Sequence, residues 1–260
     1  MYMDKVKGIF IVVVSLFVMT AIGFTGFRVY RACVVDKMIH AKYVVNSIIQ
    51  TGPEKEALPS IYIEELLGLS FDHPQNYFTF DECEAERKLL KSPVIKSARV
   101  RKIKPDSIYI DYEVFRPIAL LGDSFNLGID EEGRVFPIQP FFSPKRLPEC
   151  YFGKQEIDPE KFEIALAILA FLEKRVAFAE STIKSIDVSQ AVHESFGKRE
   201  VVIMLEEKGQ TWYLRLTPHR FPEEMNNFIT LKETTLVNSK NRKIVDLRLA
   251  KVAYIEEVAD

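Results

Sequence analysis

Four histidines and three cysteines are the residues best suited to metal or nucleophilic chemistry, and their spacing builds no site. His40, His73, His193 and His219 lie in separate segments, none with an acidic or cysteine partner at ligand spacing. Cys33, Cys83 and Cys150 are far apart and odd in number, so at most one intramolecular disulfide is available and no redox or metal motif is spelled out. They read as isolated small apolar residues. Gly197-Lys198 lacks the preceding glycine loop that would cradle a phosphate. The chain is therefore expected to be no enzyme, with no cofactor, no metal and no small-molecule substrate.

One tripeptide argues the other way. Gly122-Asp123-Ser124 resembles the nucleophile block of the GDS-type lipases and esterases, but those enzymes also use a later Asp-x-x-His, and none follows Ser124. Gly-Asp-Ser is also ordinary turn chemistry after a strand. A membrane-tethered hydrolase stays as the remote alternative.

Charge excludes a further class. The chain of 260 residues carries 35 basic and 37 acidic side chains, net charge -2, mixed along its length, so no global field draws it to nucleic acid. The most basic stretch, ARVRKIKPDSIYIDYEVFRP from Ala98 to Pro117, answers itself as a hairpin. With Lys104-Pro105-Asp106 as a three-residue loop, Val100 faces Ile110, Ala98 faces Tyr112 and Arg99 faces Asp111. Apolar then meets apolar and opposite charges meet on the wet face, whereas a one-residue slip inverts both faces. Asp106 is expected in or near the left-handed region of the turn.

These elements sit behind an apolar run, Gly8 to Phe27, with no charged side chain. About 20 residues suffice to cross a bilayer as a helix. The run is longer than a signal-peptide core and ends in Arg28 and Arg31, which favours an uncleaved anchor. Flanking charges leave its orientation open.

After the anchor a strand is expected around Tyr43 to Ile49, broken at Thr51-Gly52-Pro53. One helix follows Ser60, and a second is capped by Thr79 or Asp81, with acids in its first turn and bases in its last. The hairpin completes a strand, helix, helix, strand, strand module. Beyond Leu120 turns multiply, and a core helix runs from Pro159 to about Arg175 behind Asp158. Strands are expected at Ile183–Val188, Glu200–Leu205 and Gln210–Leu216, the last two joined about Glu207-Lys208-Gly209. A helix from Pro222 to about Leu236 precedes Arg242–Arg248 and a last apolar strand, Val252–Ile255.

Several short motifs fall in one order. Pro93-Val94, Ala98-Arg99-Val100 with Pro105-Asp106 and Ile108-x-Ile110, then Arg116-Pro117-Ile118-Ala119, resemble the end of the POTRA module of the FtsQ/DivIB family of bacterial cell-division proteins. The segment from Ile129 to Phe136, IDEEGRVF, is similar to the start of that family's second domain, and Val245-Asp246-Leu247-Arg248 to its near-terminal strand. Departures stand at Val94, Phe115-Arg116 and Leu249. The resemblance implies an α+β chain: a cytoplasmic tail at 1–7, a transmembrane helix at 8–30, a linker at 31–41, a POTRA-like β-α-α-β-β module at 42–118, a mixed, mostly antiparallel β domain with helices at 119–255, and an acidic tail at 256–260.

It further implies a single-pass protein of the inner membrane at the division septum, with a cytoplasmic amino terminus and its bulk outside. That protein would act as a scaffold whose partners are FtsB/FtsL-type single-pass division proteins. A POTRA-bearing protein of envelope transport or outer-membrane assembly is the alternative. The expected contact is the last strand: an edge with one neighbour leaves backbone groups free to take a partner strand. Arg248 would pair with a partner carboxylate, and Leu249, Val252, Ala253, Tyr254 and Ile255 would supply the strand and its apolar contacts. Arg248→Glu, or proline at Ala253, is expected to weaken partner capture and leave the fold intact. The opposing reading is an edge merely protected by Glu256, Glu257 and Asp260.

Overall fold

In the computed structural model, helix α1 (Tyr2–Ile39) runs unbroken through the apolar segment and beyond it. The structure describes residues 2–70, 74–143, 146–153, 157–175, 178, 181–235, 242–250 and 252–258; His73, Pro144, Leu236 and Asp260 lie outside them. Among the described residues α1 is the one helix long and apolar enough to span a bilayer, and none of its apolar window within Val14–Ile39 is buried by them. Residues 31–39, expected as linker, are helical. From Arg28 onward the helix continues about 18 Å past the apolar run, at about 1.5 Å per residue. Its end is held: Asn76 Nδ2 donates to the Lys37 carbonyl at 3.1 Å, and Tyr43 packs edge-on against Phe78, centroids 5.0 Å apart.

The chain divides into two compact units, Met1–Val114 and Phe115–Asp260. The first contains β1 (Ser47–Thr51), α2 (Ser60–Leu67), α3 (Glu82–Leu89), β2 (Ile95–Ile103) and β3 (Ser107–Val114). The sheet order is β1-β3-β2, with β1 parallel and β2 antiparallel to β3. Ile63 and Leu67 of α2 and Ala85 and Leu89 of α3 are buried, as are Val100, Ile108, Ile110 and Tyr112 of the sheet.

The hairpin register agrees with the pattern: Ala98 opposes Tyr112, Arg99 opposes Asp111 and Val100 opposes Ile110, across a loop at 104–106. Asp106 departs from expectation. Only Asn126 and Lys208 among described non-glycine residues have positive φ, and the reversal contains a cis Lys104-Pro105 bond instead. The first strand also begins later than expected, at Ser47, because Ala41–Tyr43 forms a 3₁₀ turn and Val44 bridges Asn76. Asp81 caps α3, accepting from the Glu84 amide at 3.1 Å, while Ser60 lies inside α2 behind Pro59 and caps nothing.

The second unit is a nine-stranded sheet built from β4 (Ala119–Leu121), β5 (Leu127–Ile129), β6 (Val135–Pro137), β7 (Glu149–Tyr151), β8 (Thr182–Asp187), β9 (Val201–Glu207), β10 (Gln210–Leu216), β11 (Arg242–Asp246) and β12 (Tyr254–Val258). Their order is β12-β11-β10-β9-β8-β7-β4-β5-β6. Pairs β4/β7, β7/β8 and β10/β11 are parallel and the remainder antiparallel. Helix α4 (Pro159–Glu173) connects β7 to β8, and α5 (Phe221–Thr235) connects β10 to β11, as parallel neighbours require.

Asp158 caps α4 through the Glu160 amide at 2.9 Å. Ile164, Ile168 and Leu172 of α4 and Met225 and Phe228 of α5 join Ile203, Trp212, Leu214 and Val245 in one core, and Phe171 of α4 meets Phe221 of α5 edge-on at 5.7 Å. The expected core role of α4 follows. In the β5–β6 turn, buried Asp130 accepts from the amides of Glu132 and Arg134, and Gly133 supplies the positive φ of 79°. The β9–β10 loop is Lys208-Gly209, both at positive φ, the signature of a two-residue hairpin turn.

Candidate partner-binding edge

The C-terminal edge is made by two consecutive decisions of the backbone. Helix α5 returns the chain so that β11 lies parallel to β10, with Trp212 opposite Lys243 and Leu214 opposite Val245. A short loop then reverses it, and β12 runs antiparallel to β11, with Val245 opposite Ile255 and Asp246 opposite Tyr254. β12 ends the strand order, so among the described residues its outer side has no strand partner. The strand is Tyr254–Val258, two residues later than the expected Val252–Ile255. Glu256 and Glu257, read as a tail, are strand residues.

That shift has a visible cause. Lys243 is buried in β11, its side chain 5 % exposed, with Nζ 5.7 Å from the centroid of the Trp212 ring and 3.3 Å from Glu257. Burying an ammonium demands a carboxylate, and Glu257 lies directly opposite it in the register. The pair draws the acidic residues into the ladder.

The other end of β12 is set by a charge quartet. Arg215 of β10 donates to Glu200 through Nε at 3.0 Å and an η nitrogen at 2.6 Å. Arg248 donates to Asp246 through Nε at 3.0 Å and an η nitrogen at 2.6 Å, and its other η nitrogen lies 3.0 Å from Glu200. Arg215 closes the ring at 3.5 Å from Asp246. The hydrogen bond from Arg248 holds the Asp246 carboxyl below its ordinary value, and Asp246 in turn raises the guanidinium of Arg248. The Asp246 side chain also accepts from the Arg248 amide at 3.1 Å, which turns the chain out of β11.

Arg248 therefore belongs to the fold before it belongs to a partner. Its three guanidinium nitrogens lie against Asp246 and Glu200, so Arg248→Glu, expected to leave the fold intact, would bring a third carboxylate into the quartet. The remaining residues of the expected site divide by exposure. Leu249, Val252 and Tyr254 are 66 %, 60 % and 62 % exposed, whereas Ala253 and Ile255 are half-buried against the core. Tyr254 opens β12, and Leu249 and Val252 lie in the segment just before it, so three exposed apolar side chains stand beside the outer strand.

Glu200, Arg215 and Lys243 escaped the sequence reading, since their partners are far away along the chain. The alternation in Gln210–Leu216 placed Arg215 on the face opposite Trp212 and Leu214, and that was the available signal.

Gly122-Asp123-Ser124 forms a turn after β4. Asp123 Oδ2 accepts from the amides of both Phe152 and Gly153, at 2.6 and 3.0 Å, so this one oxygen braces a neighbouring loop. His40 and His193 use Nδ1 to accept from amides two residues on. Among the described residues no three His, Cys, Asp or Glu side chains gather as metal ligands. Cys33 and Cys83 are exposed free thiols and Cys150 is buried.

Residues 53–111 match the family model of the POTRA domain, FtsQ-type. No curated protein matches the chain. The matched residues cover α2, α3, β2 and most of β3; the motifs from Pro93 to Ile110 lie within them.

Proposed function

From a chain that carries an FtsQ-type POTRA domain, characteristic of the FtsQ/DivIB division proteins, behind one apolar N-terminal helix, we propose a non-catalytic membrane-anchored scaffold of septum formation. It links earlier and later components of the division machinery by holding FtsB/FtsL-type single-pass proteins on its extracytoplasmic domains, with its amino terminus in the cytoplasm. The observation that carries the partner half of this reading is the outer side of β12, which no strand pairs with among the described residues, beside exposed Leu249, Val252 and Tyr254. Main-chain bonds to an added strand give affinity, and those side chains give selectivity. Lys243–Glu257 ties β12 to β11, and the Arg248 quartet ties the chain leaving β11 to β9 and β10.

The test uses photo-crosslinking side chains at Val252 and Tyr254 of the full chain in native membranes, beside a fluorescent fusion. A septal band and adducts with small single-pass division proteins are expected, lost on Tyr254→Asp with the fold unchanged. Uniform envelope fluorescence, or adducts unaffected by that substitution, would overturn the proposal.

A further inference from the structure

The POTRA sheet has two edges, and they are treated in opposite ways. Along β2, the Val100 amide donates to Glu86 Oε1 at 2.9 Å and the Lys102 amide to Glu82 Oε1 at 2.6 Å. Glu82 and Glu86 are four apart on α3, so one helix face places both carboxylates over alternate outward amides of the strand. Lys102 Nζ adds a bond to the Phe80 carbonyl at 3.0 Å. β2 also carries Lys96, Arg99 and Arg101, charges of the kind that discourage edge pairing.

β1, at the other end of the order, has none of this. Its sequence, Ser47-Ile48-Ile49-Gln50-Thr51, contains no charge, proline or bulge, Ile49 is 48 % exposed, and among the described residues no strand pairs with its outer side.

The free segment has definite ends. At its start the Val45 amide is taken by the Gln75 carbonyl at 2.9 Å, and Val44 bridges Asn76. Past its end comes Gly52-Pro53, where proline has no amide to give. Antiparallel pairing of the segment with itself about Ile49 sets Ile49 against Ile49, Ser47 against Thr51 and Ile48 against Gln50. Apolar meets apolar at the dyad and hydroxyl meets hydroxyl beside it, on the exposed side that Ser47, Ile49 and Thr51 share. The blocked start of one copy falls opposite Pro53 of the other, so the pairing window closes at the same place from both sides.

We propose that a second copy of this chain occupies this edge, the two β1 strands joining antiparallel about a two-fold axis at Ile49. The contact is isologous, as a closed dimer requires. Five residues per copy make a small contact, and confinement of both copies by α1 in one membrane raises their effective concentration. That last clause rests on the anchor reading given above; the edge asymmetry does not. β12 belongs to the other unit, so this contact and the proposed division-partner contact use different strands.

Cysteine crosslinking of the full chain in membranes tests the register, in a background with Cys33→Ala and Cys83→Ala. Ile49→Cys should shift the chain from monomer to disulfide dimer under mild oxidation, while Arg101→Cys on the sealed edge stays monomeric. Ser47→Cys co-expressed with Thr51→Cys, each carrying a different tag, should give the mixed dimer and not the self-dimer of either. Ile49→Lys, which opposes two like charges at the dyad, should abolish the Ser47–Thr51 crosslink. Monomeric Ile49→Cys, equal crosslinking from Arg101→Cys, self-dimers of Ser47→Cys, or an adduct at Ile49 with a different protein would each overturn the proposal. A septal fluorescent band with monomeric Ile49→Cys would refute the dimer alone and leave the division reading standing.

Discussion

Replacing Arg248 by alanine isolates the energetics of the quartet that roots the β12 edge. The guanidinium makes charge-assisted contacts to Asp246 at 2.6 and 3.0 Å and to Glu200 at 3.0 Å. Each hydrogen bond to a charged group contributes about 1.5–3 kcal/mol net to stability. Two facts reduce the sum. The Arg248, Asp246 and Glu200 side chains are 22 %, 17 % and 21 % exposed, so water takes up part of the loss, and Arg215 stays behind on both acids. A net loss of about 1–2 kcal/mol is expected for Arg248→Ala. Arg248→Glu leaves three carboxylates about one cation and should cost about 3 kcal/mol or more.

Trp212 is the chain's one tryptophan and is buried between Phe228 and Lys243, so its fluorescence during urea unfolding reports the second unit by itself. The pH dependence carries the sign. Asp246 is held below its ordinary value of 3.8, so its contribution is present above that value and is lost as pH falls through the lower folded value. The gap between native and Arg248→Ala stability should be full at pH 7 and narrow below 3.8. An unchanged urea midpoint at pH 7, or a gap that persists undiminished in acid, would refute the quartet as the source.

Two other outcomes follow from geometry. Glu82→Ala with Glu86→Ala strips the acceptors from β2, so hydrogen exchange at the Val100 and Lys102 amides should accelerate sharply, with about 1–2 kcal/mol of POTRA stability lost; unchanged exchange at both amides would remove the sealed-edge reading. Burial pushes the Cys150 thiol up to about 12, so at pH 8 alkylation should modify Cys33 and Cys83 and spare Cys150 until the chain is unfolded, as mass spectrometry of the modified peptides would record.

Much of the first unit was legible because its information is local. The β2–β3 register follows from alternation alone, since a slip by one residue would bury Asp111 and expose Ile110. Asp81 and Asp158 announce their helices because a cap needs only amides two or three residues away. The Lys104-Pro105-Asp106 turn was misjudged in conformation though right in length, since sequence pattern fixes how many residues a loop has before it fixes their dihedral angles.

By itself the sequence determined the long apolar N-terminal helix, the β-α-α-β-β order and the near-terminal strand, through hydrophobic runs and periodicities that need no distant partner. The tertiary structure decided which edges are open and which charges are spent. Glu82 and Glu86 close β2, Glu200 and Asp246 claim Arg248, and Lys243 pulls Glu257 into the final strand. Each is a contact between segments that the chain brings together only on folding. Desolvating a charge or a backbone amide has to be compensated by whatever lies within about 3 Å in the folded state, and one-dimensional spacing does not say what that is.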